Sequence, residues 1–166
     1  MGKSNKPPAR IHVLMASNSK KSVVLRRGPS WQTAVLGWNR MDDTFSPGQW
    51  LYGSIYGYRS DVTPDGNHWI YSASKHSQTH TVYTAVSRVP YLKVMDFYVK
   101  DNAWNGGGLF YDNNSYWLNQ IPGEEFIEKR KSSPFCIIPA WPGHYGFTGY
   151  YATKRVKALI MRNTPL

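Results

Sequence analysis

Turn-forming residues recur along this chain at intervals that leave room for short strands and little else. Ser17-Asn18-Ser19-Lys20-Lys21, Asp42-Asp43, Ser46-Pro47-Gly48, Thr63-Pro64-Asp65-Gly66, Asn105-Gly106-Gly107-Gly108 and Asp112-Asn113-Asn114-Ser115 punctuate it. In such segments Gly accepts positive φ, Pro presets φ, and Asn or Asp bonds its own backbone. Between them lie runs rich in β-branched and aromatic residues, which suit a pleated, half-buried surface. Residues 49–56 show the pattern: Trp50, Tyr52, Ser54 and Tyr56 fall on one side of a strand, with Leu51, Gly53 and Ile55 on the other.

Further strands are expected over residues 10–16, 22–27, 31–38, 68–73, 79–88, 91–99, 109–111, 116–118 and 135–140. Residues 124–131 read as a short helix, with acids first and bases last to match the helix dipole. Residues 151–162 fit either a helix or a strand. The fold class that follows is mostly β, either all-β or a β-dominated α+β fold. It is expected as an antiparallel sheet of short hairpins, barrel-like or half-propeller-like, with one or two short helices. Residues 61–70 and 109–118 echo each other, each reading strand, Asp/Asn turn and strand with Trp. An ordinary propeller needs more blades than 166 residues supply, so the echo records hairpin chemistry.

Composition sets the outer bounds. An apolar content of 41% with 15% aromatics excludes a disordered chain. Residues 10–166 are expected as a single β-rich domain behind a basic tail over residues 1–9. The lone Cys136, within Phe135-Cys136-Ile137-Ile138, has no internal disulfide partner and is expected to be buried. No apolar run approaches the ~18–20 residues of a membrane helix. The N-terminus lacks an export h-region and the Ser or Thr expected at position six of a myristoylation signal. A cytoplasmic protein is the expectation, without membrane association.

The net charge of +10 is unevenly placed. Residues 1–41 carry +8 and residues 129–166 carry +7, neither with any Asp or Glu, while residues 42–128 stand at −5. Acid-free ends that meet in space would make a positive face that attracts polyanions. Lys20, Lys21, Arg26 and Arg27 near Trp31, with Lys154, Arg155 and Lys157 near Tyr150 and Tyr151, are the candidate binding residues. Their basic groups would hold phosphates and the aromatics would stack on bases. Nucleic acid is the leading partner.

Val24-Leu25-Arg26-Arg27-Gly28-Pro29-Ser30, Asp43-Thr44-Phe45-Ser46-Pro47-Gly48-Gln49-Trp50, Asp61-Val62-Thr63-Pro64-Asp65-Gly66, Thr84-Ala85-Val86-Ser87-Arg88-Val89-Pro90-Tyr91 and Gly106-Gly107-Gly108-Leu109-Phe110 resemble an uncharacterised bacterial protein family. Similar blocks occur there in the same order, across roughly residues 11–119 of this chain. The resemblance implies a bacterial or phage-like origin and assigns no activity or site residue.

Catalytic patterns are sparse. His76 and His80 could share a face, but no third ligand has supporting spacing, so no metal and no cofactor is expected. Gly106-Gly107-Gly108 lacks the Gly-Lys-Ser/Thr and helix of a phosphate loop, and no G-x-S-x-G elbow occurs. Asp96 interrupts the apolar strand Val94-Met95-Asp96-Phe97-Tyr98. An inward carboxylate there needs a compensating charge or a raised pKa, with Arg59 or Arg88 as partner. A cleft around Asp96, Arg88 and His80 is therefore the enzyme alternative. A subunit that shows an aromatic surface to another protein or a second copy is the third.

Overall fold

The computed structural model describes residues 8–28, 31–75, 81–100, 105–120 and 125–139, and the fold is mostly β. Its strands are β1 (Arg10–Met15), β2 (Lys21–Arg27), β3 (Gln32–Asn39), β4 (Thr44–Ile55), β5 (Asp61–Val62), β6 (His68–Lys75), β7 (Thr81–Arg88), β8 (Val94–Lys100), β9 (Gly108–Phe110), β10 (Ser115–Leu118), β11 (Glu128–Lys131) and β12 (Cys136–Ile138). A large antiparallel sheet runs β1-β2-β3-β4-β6-β7-β8-β11, with β5 also paired to β6. A small sheet runs β12-β10-β9, in which β10 and β12 are parallel.

Turn chemistry sets the hairpins. Asp43 takes φ +57 between β3 and β4, a conformation Asp tolerates better than most residues. In the Thr63–Gly66 turn, Asp65 Oδ1 accepts the Thr63 hydroxyl at 2.6 Å and the Asn67 N–H at 3.0 Å, and Gly66 takes φ +75. The two echoing segments are both antiparallel hairpins, with Val62 opposite Trp69 and Leu109 opposite Trp117. They also touch: Asp61 Oδ2 accepts the Phe110 N–H at 2.9 Å, and Asn113 Oδ1 accepts that of Asp65 at 3.0 Å.

Side chains alternate across the large sheet, and its two faces differ in what covers them. Leu14, Val23, Leu25, Val35 and Ile55 meet Trp69, Tyr71, Ala73 and Ala85 in one core, so the sheet curls upon its own inner face. On the outer face, Ile70, Val86 and Tyr98 are roofed by Phe110, Tyr116, Leu118 and Phe135 from the small sheet and its approach. That roof lies over β6–β8. The outer face of β1–β4 has no such roof among the described residues.

Several expectations change. The sheet does not close into a barrel: β1 approaches β5 and the 3-10 turn Gly57–Arg59 without sharing a ladder with them. That 3-10 turn is the only helical segment among the described residues. The expected helix at 124–131 is replaced by β11, whose Glu128–Lys131 pairs with the free edge of β8. An isolated helix that short is marginal in water, and a ladder partner satisfies the same backbone groups. Ser46-Pro47-Gly48 is no turn; it lies inside β4. Pro47 is tolerated because β4 pairs with β6 only over Gly53–Ile55, so it sits where one edge is unpaired, beside a bulge opposite Val35. Cys136 is exposed. The ambiguous stretch 151–162 lies outside the described residues.

One glycine shows how tightly the loop before β9 is held. Gly107 has φ +78, and a Cβ there would stand 1.8 Å from the Arg59 carbonyl oxygen. Its N–H donates to Thr84 Oγ1 at 2.7 Å. The triple glycine is therefore a close-approach device between the small sheet and the large one. Among the described residues, no helix is long and apolar enough to cross a membrane.

Candidate functional site

The open outer face of β1–β4 is built from cross-strand rows whose order follows from the register. Met15, Ser22, Trp38 and Phe45 form the first; Val13, Val24, Leu36 and Pro47 the second; Ile11, Arg26, Ala34 and Trp50 the third. Gln32 and Tyr52 continue the fourth. The bulge in β4 keeps Trp50 and Tyr52 on the same face as Phe45, despite the odd spacing between Phe45 and Trp50. Trp50 is 58% exposed and Tyr52 71%. Trp38 and Phe45 stack with centroids 5.7 Å apart and planes 4° from parallel, and the Trp38 indole N–H donates to Asp43 at 2.7 Å.

Arg26 is the one charged side chain in these rows, and it is exposed. At the same end of the sheet Arg10 and Arg27 stand directly opposite each other. Like charges so placed repel. β1, β2 and β3 contain no Asp or Glu. Trp31, 68% exposed, precedes β3 at this same end. The result is an end of the sheet with three arginines, Arg26 on the same face as Trp50 and Tyr52, and Arg10 with Arg27 on the opposite face by strand alternation.

The binding residues expected from the sequence do not gather into one cluster. Arg26 and Arg27 join Trp31 at this corner, but Lys20 and Lys21 lie at the far end of β2, about 15–20 Å away at ~3.4 Å per residue. Lys21 Nζ donates to Asn67 Oδ1 at 2.6 Å. Beside it, the Arg40 guanidinium holds the carbonyls of Ala16 and Ser19 at 3.1 and 2.7 Å. That end of the sheet is occupied with structural bonding. Lys154, Arg155 and Lys157 lie outside the described residues.

Asp96 is buried, yet neither Arg59 nor Arg88 compensates it. Its Oδ1 accepts the N–H groups of Ser132 and Ser133 at 2.9 and 2.8 Å. Its Oδ2 accepts the Tyr116 hydroxyl at 2.7 Å and the Ser133 hydroxyl. Because Tyr116 spends its proton on Asp96, the 2.8 Å bond between the two tyrosine hydroxyls has Tyr98 as donor. Burial alone would raise the Asp96 carboxyl, but these bonds outweigh it and hold the group below its ordinary value. Burial, then the bonds to Tyr98 and Asp96, push the Tyr116 hydroxyl far upward. Burial likewise pushes Tyr98 up to about 12.

Of the three residues of the expected cleft, Asp96 and Arg88 are described. Asp96 clamps the segment after β11 to β8; Arg88 is exposed at the end of β7, opposite His68. The Arg59 guanidinium lies over the Tyr56 ring at 5.4 Å, and His80 falls outside the described residues. Among the described residues no group of three His, Cys, Asp or Glu side chains could hold a metal.

Reading the sequence as strands had already put Trp50 and Tyr52 on one side of β4. It missed them as binding residues because alternation does not say which side stays uncovered. Arg10 was missed for a related reason: only the β1–β2 register puts it opposite Arg27. No protein-family model matches the chain, and neither does any curated protein or solved structure compared with it.

Proposed function

We propose that this protein is a binding module for an anionic polymer, with nucleic acid as the ligand, and that it binds on the basic corner of β1–β4. The observation that carries this reading is Arg26, exposed in the same cross-strand row as the exposed Trp50, with no acid on those strands. A polyanion draws on the positive field at this end of the sheet, which speeds encounter. The net charge of +10 acts in the same direction. The test is a labelled oligonucleotide titrated over a salt series, beside retention on heparin. Binding should weaken linearly in log–log form, and Arg26→Ala should reduce the slope by about one. Absence of binding to both ligands at low salt overturns the reading.

A second reading, docking of a protein partner, is favoured by the opposite end of the same face. Val13, Met15, Leu36, Phe45 and Pro47 lie there in two neighbouring rows without a formal charge, and contiguous apolar surface of that kind marks interaction sites. Light scattering over a concentration range tests the self-associating form of this reading. A constant monomer mass rejects that form.

A further inference from the structure

We infer that the nucleic acid this face takes is single-stranded, with successive bases laid on Trp50 and Tyr52 and a phosphate held by Arg26 at the other end of the Trp50 row. This rests on the function proposed above and narrows it. Trp50 and Tyr52 are two residues apart on one side of β4, so their rings project from points about 6.8 Å apart. Each strand of a B-form duplex advances about 3.4 Å per base. Neighbouring bases cannot therefore stay stacked on one another and lie on both rings. Each ring takes one base only if the strand is drawn out. A duplex offers base edges and backbone, and its base faces are hidden in the stack.

The row structure supplies the rest of the path. Ala34 separates Trp50 from Arg26 in this row and is buried, while the two residues it separates are exposed. Strands about 4.8 Å apart put the aromatic and the arginine roughly 10 Å from each other. The row thus runs from the ring on β4 across β3 to the guanidinium on β2. The Gln32 amide lies in the next row, opposite Tyr52, where it can bond a base edge. Arg10 and Arg27, at the same end of the sheet on its opposite face, add to the positive field there. Among the described residues, the row from Trp50 to Arg26 contains no acidic side chain. Stacking of this kind tolerates any base, so the expected recognition is weakly sequence-dependent.

Three probes test it on the whole chain at one salt concentration: a ten-nucleotide oligothymidine, a duplex of the same length, and heparin. The single strand should bind at least tenfold more tightly than the duplex and quench tryptophan emission. Trp50→Ala and Tyr52→Ala should each weaken the single strand about 5- to 150-fold, matching ~1–3 kcal/mol per stacked base, and leave heparin retention unchanged. Trp50→Phe should restore most of the affinity. Binding of oligouridine in place of oligothymidine also supports the inference, and the tighter of the two names the sugar. Equal binding of strand and duplex, or full single-strand affinity in Trp50→Ala, overturns the inference and leaves polyanion binding standing. Failure to bind all three probes removes both.

Discussion

Replacing Asp96 by Asn removes a charge that four donors converge on, and the fold should register the loss directly. Both backbone donors, from Ser132 and Ser133, can still reach the Asn oxygen, but those bonds lose their charge assistance. At the other oxygen an NH2 group replaces an acceptor, facing the hydroxyls of Tyr116 and Ser133. A hydrogen bond to a charged group contributes about 1.5–3 kcal/mol, a neutral one about 1 kcal/mol. Degrading two bonds and reversing two more should cost about 3 kcal/mol. For a chain of this size that lowers Tm by about 6–12 °C, and the urea midpoint should fall with no change in slope. The pH dependence has a defined sign. The folded carboxyl titrates below its ordinary value, so its contribution is complete above the unfolded value of about 3.9. It is lost as pH falls from there through the folded value. The Asn variant should lack that acid-side loss. An unchanged midpoint in Asp96→Asn, or wild-type stability that increases below pH 4, would refute the clamp and reopen a functional role for this carboxylate.

Other substitutions probe the packing that holds the open face in place. Gly107→Ala puts a methyl group against the Arg59 carbonyl oxygen at positive φ and should cost roughly 3 kcal/mol or more; a urea midpoint within about 1 kcal/mol of wild type contradicts the close approach. Trp69→Ala empties the inner core and drops the indole bond to the Tyr91 carbonyl, at a cost of about 3–5 kcal/mol in chemical denaturation. Cys136→Ser should change stability by less than about 0.5 kcal/mol, and Cys136 should react stoichiometrically with a thiol reagent in the folded protein; protection from the reagent would contradict its exposure.

The succession of strands and most turns was legible because each depends on local chemistry: alternation along residues 49–56, the Thr63–Gly66 turn, the Asp42-Asp43 corner. The errors fell where a distant partner decided the outcome. Residues 128–131 carry a helix-like charge order yet extend along β8, and Pro47 sits in a strand because one edge of β4 is unpaired there. Asp96 was rightly singled out as a carboxylate needing compensation. Its partners were wrongly assigned to arginines, because the serine amides that bind it come from a segment 36 and 37 residues away.

By itself the sequence determined the class of structure and the excess of positive charge, since side-chain alternation, turn propensity and net charge are properties of the chain before it folds. Tertiary structure decided which aromatic residues are core and which are surface. Trp69 and Trp50 read alike in sequence, but the curl of the large sheet on its inner face buries the first, and nothing among the described residues roofs the second. Burial depends on what packs across a face, and pairing register, not local composition, brought Arg26 into the same row as Trp50.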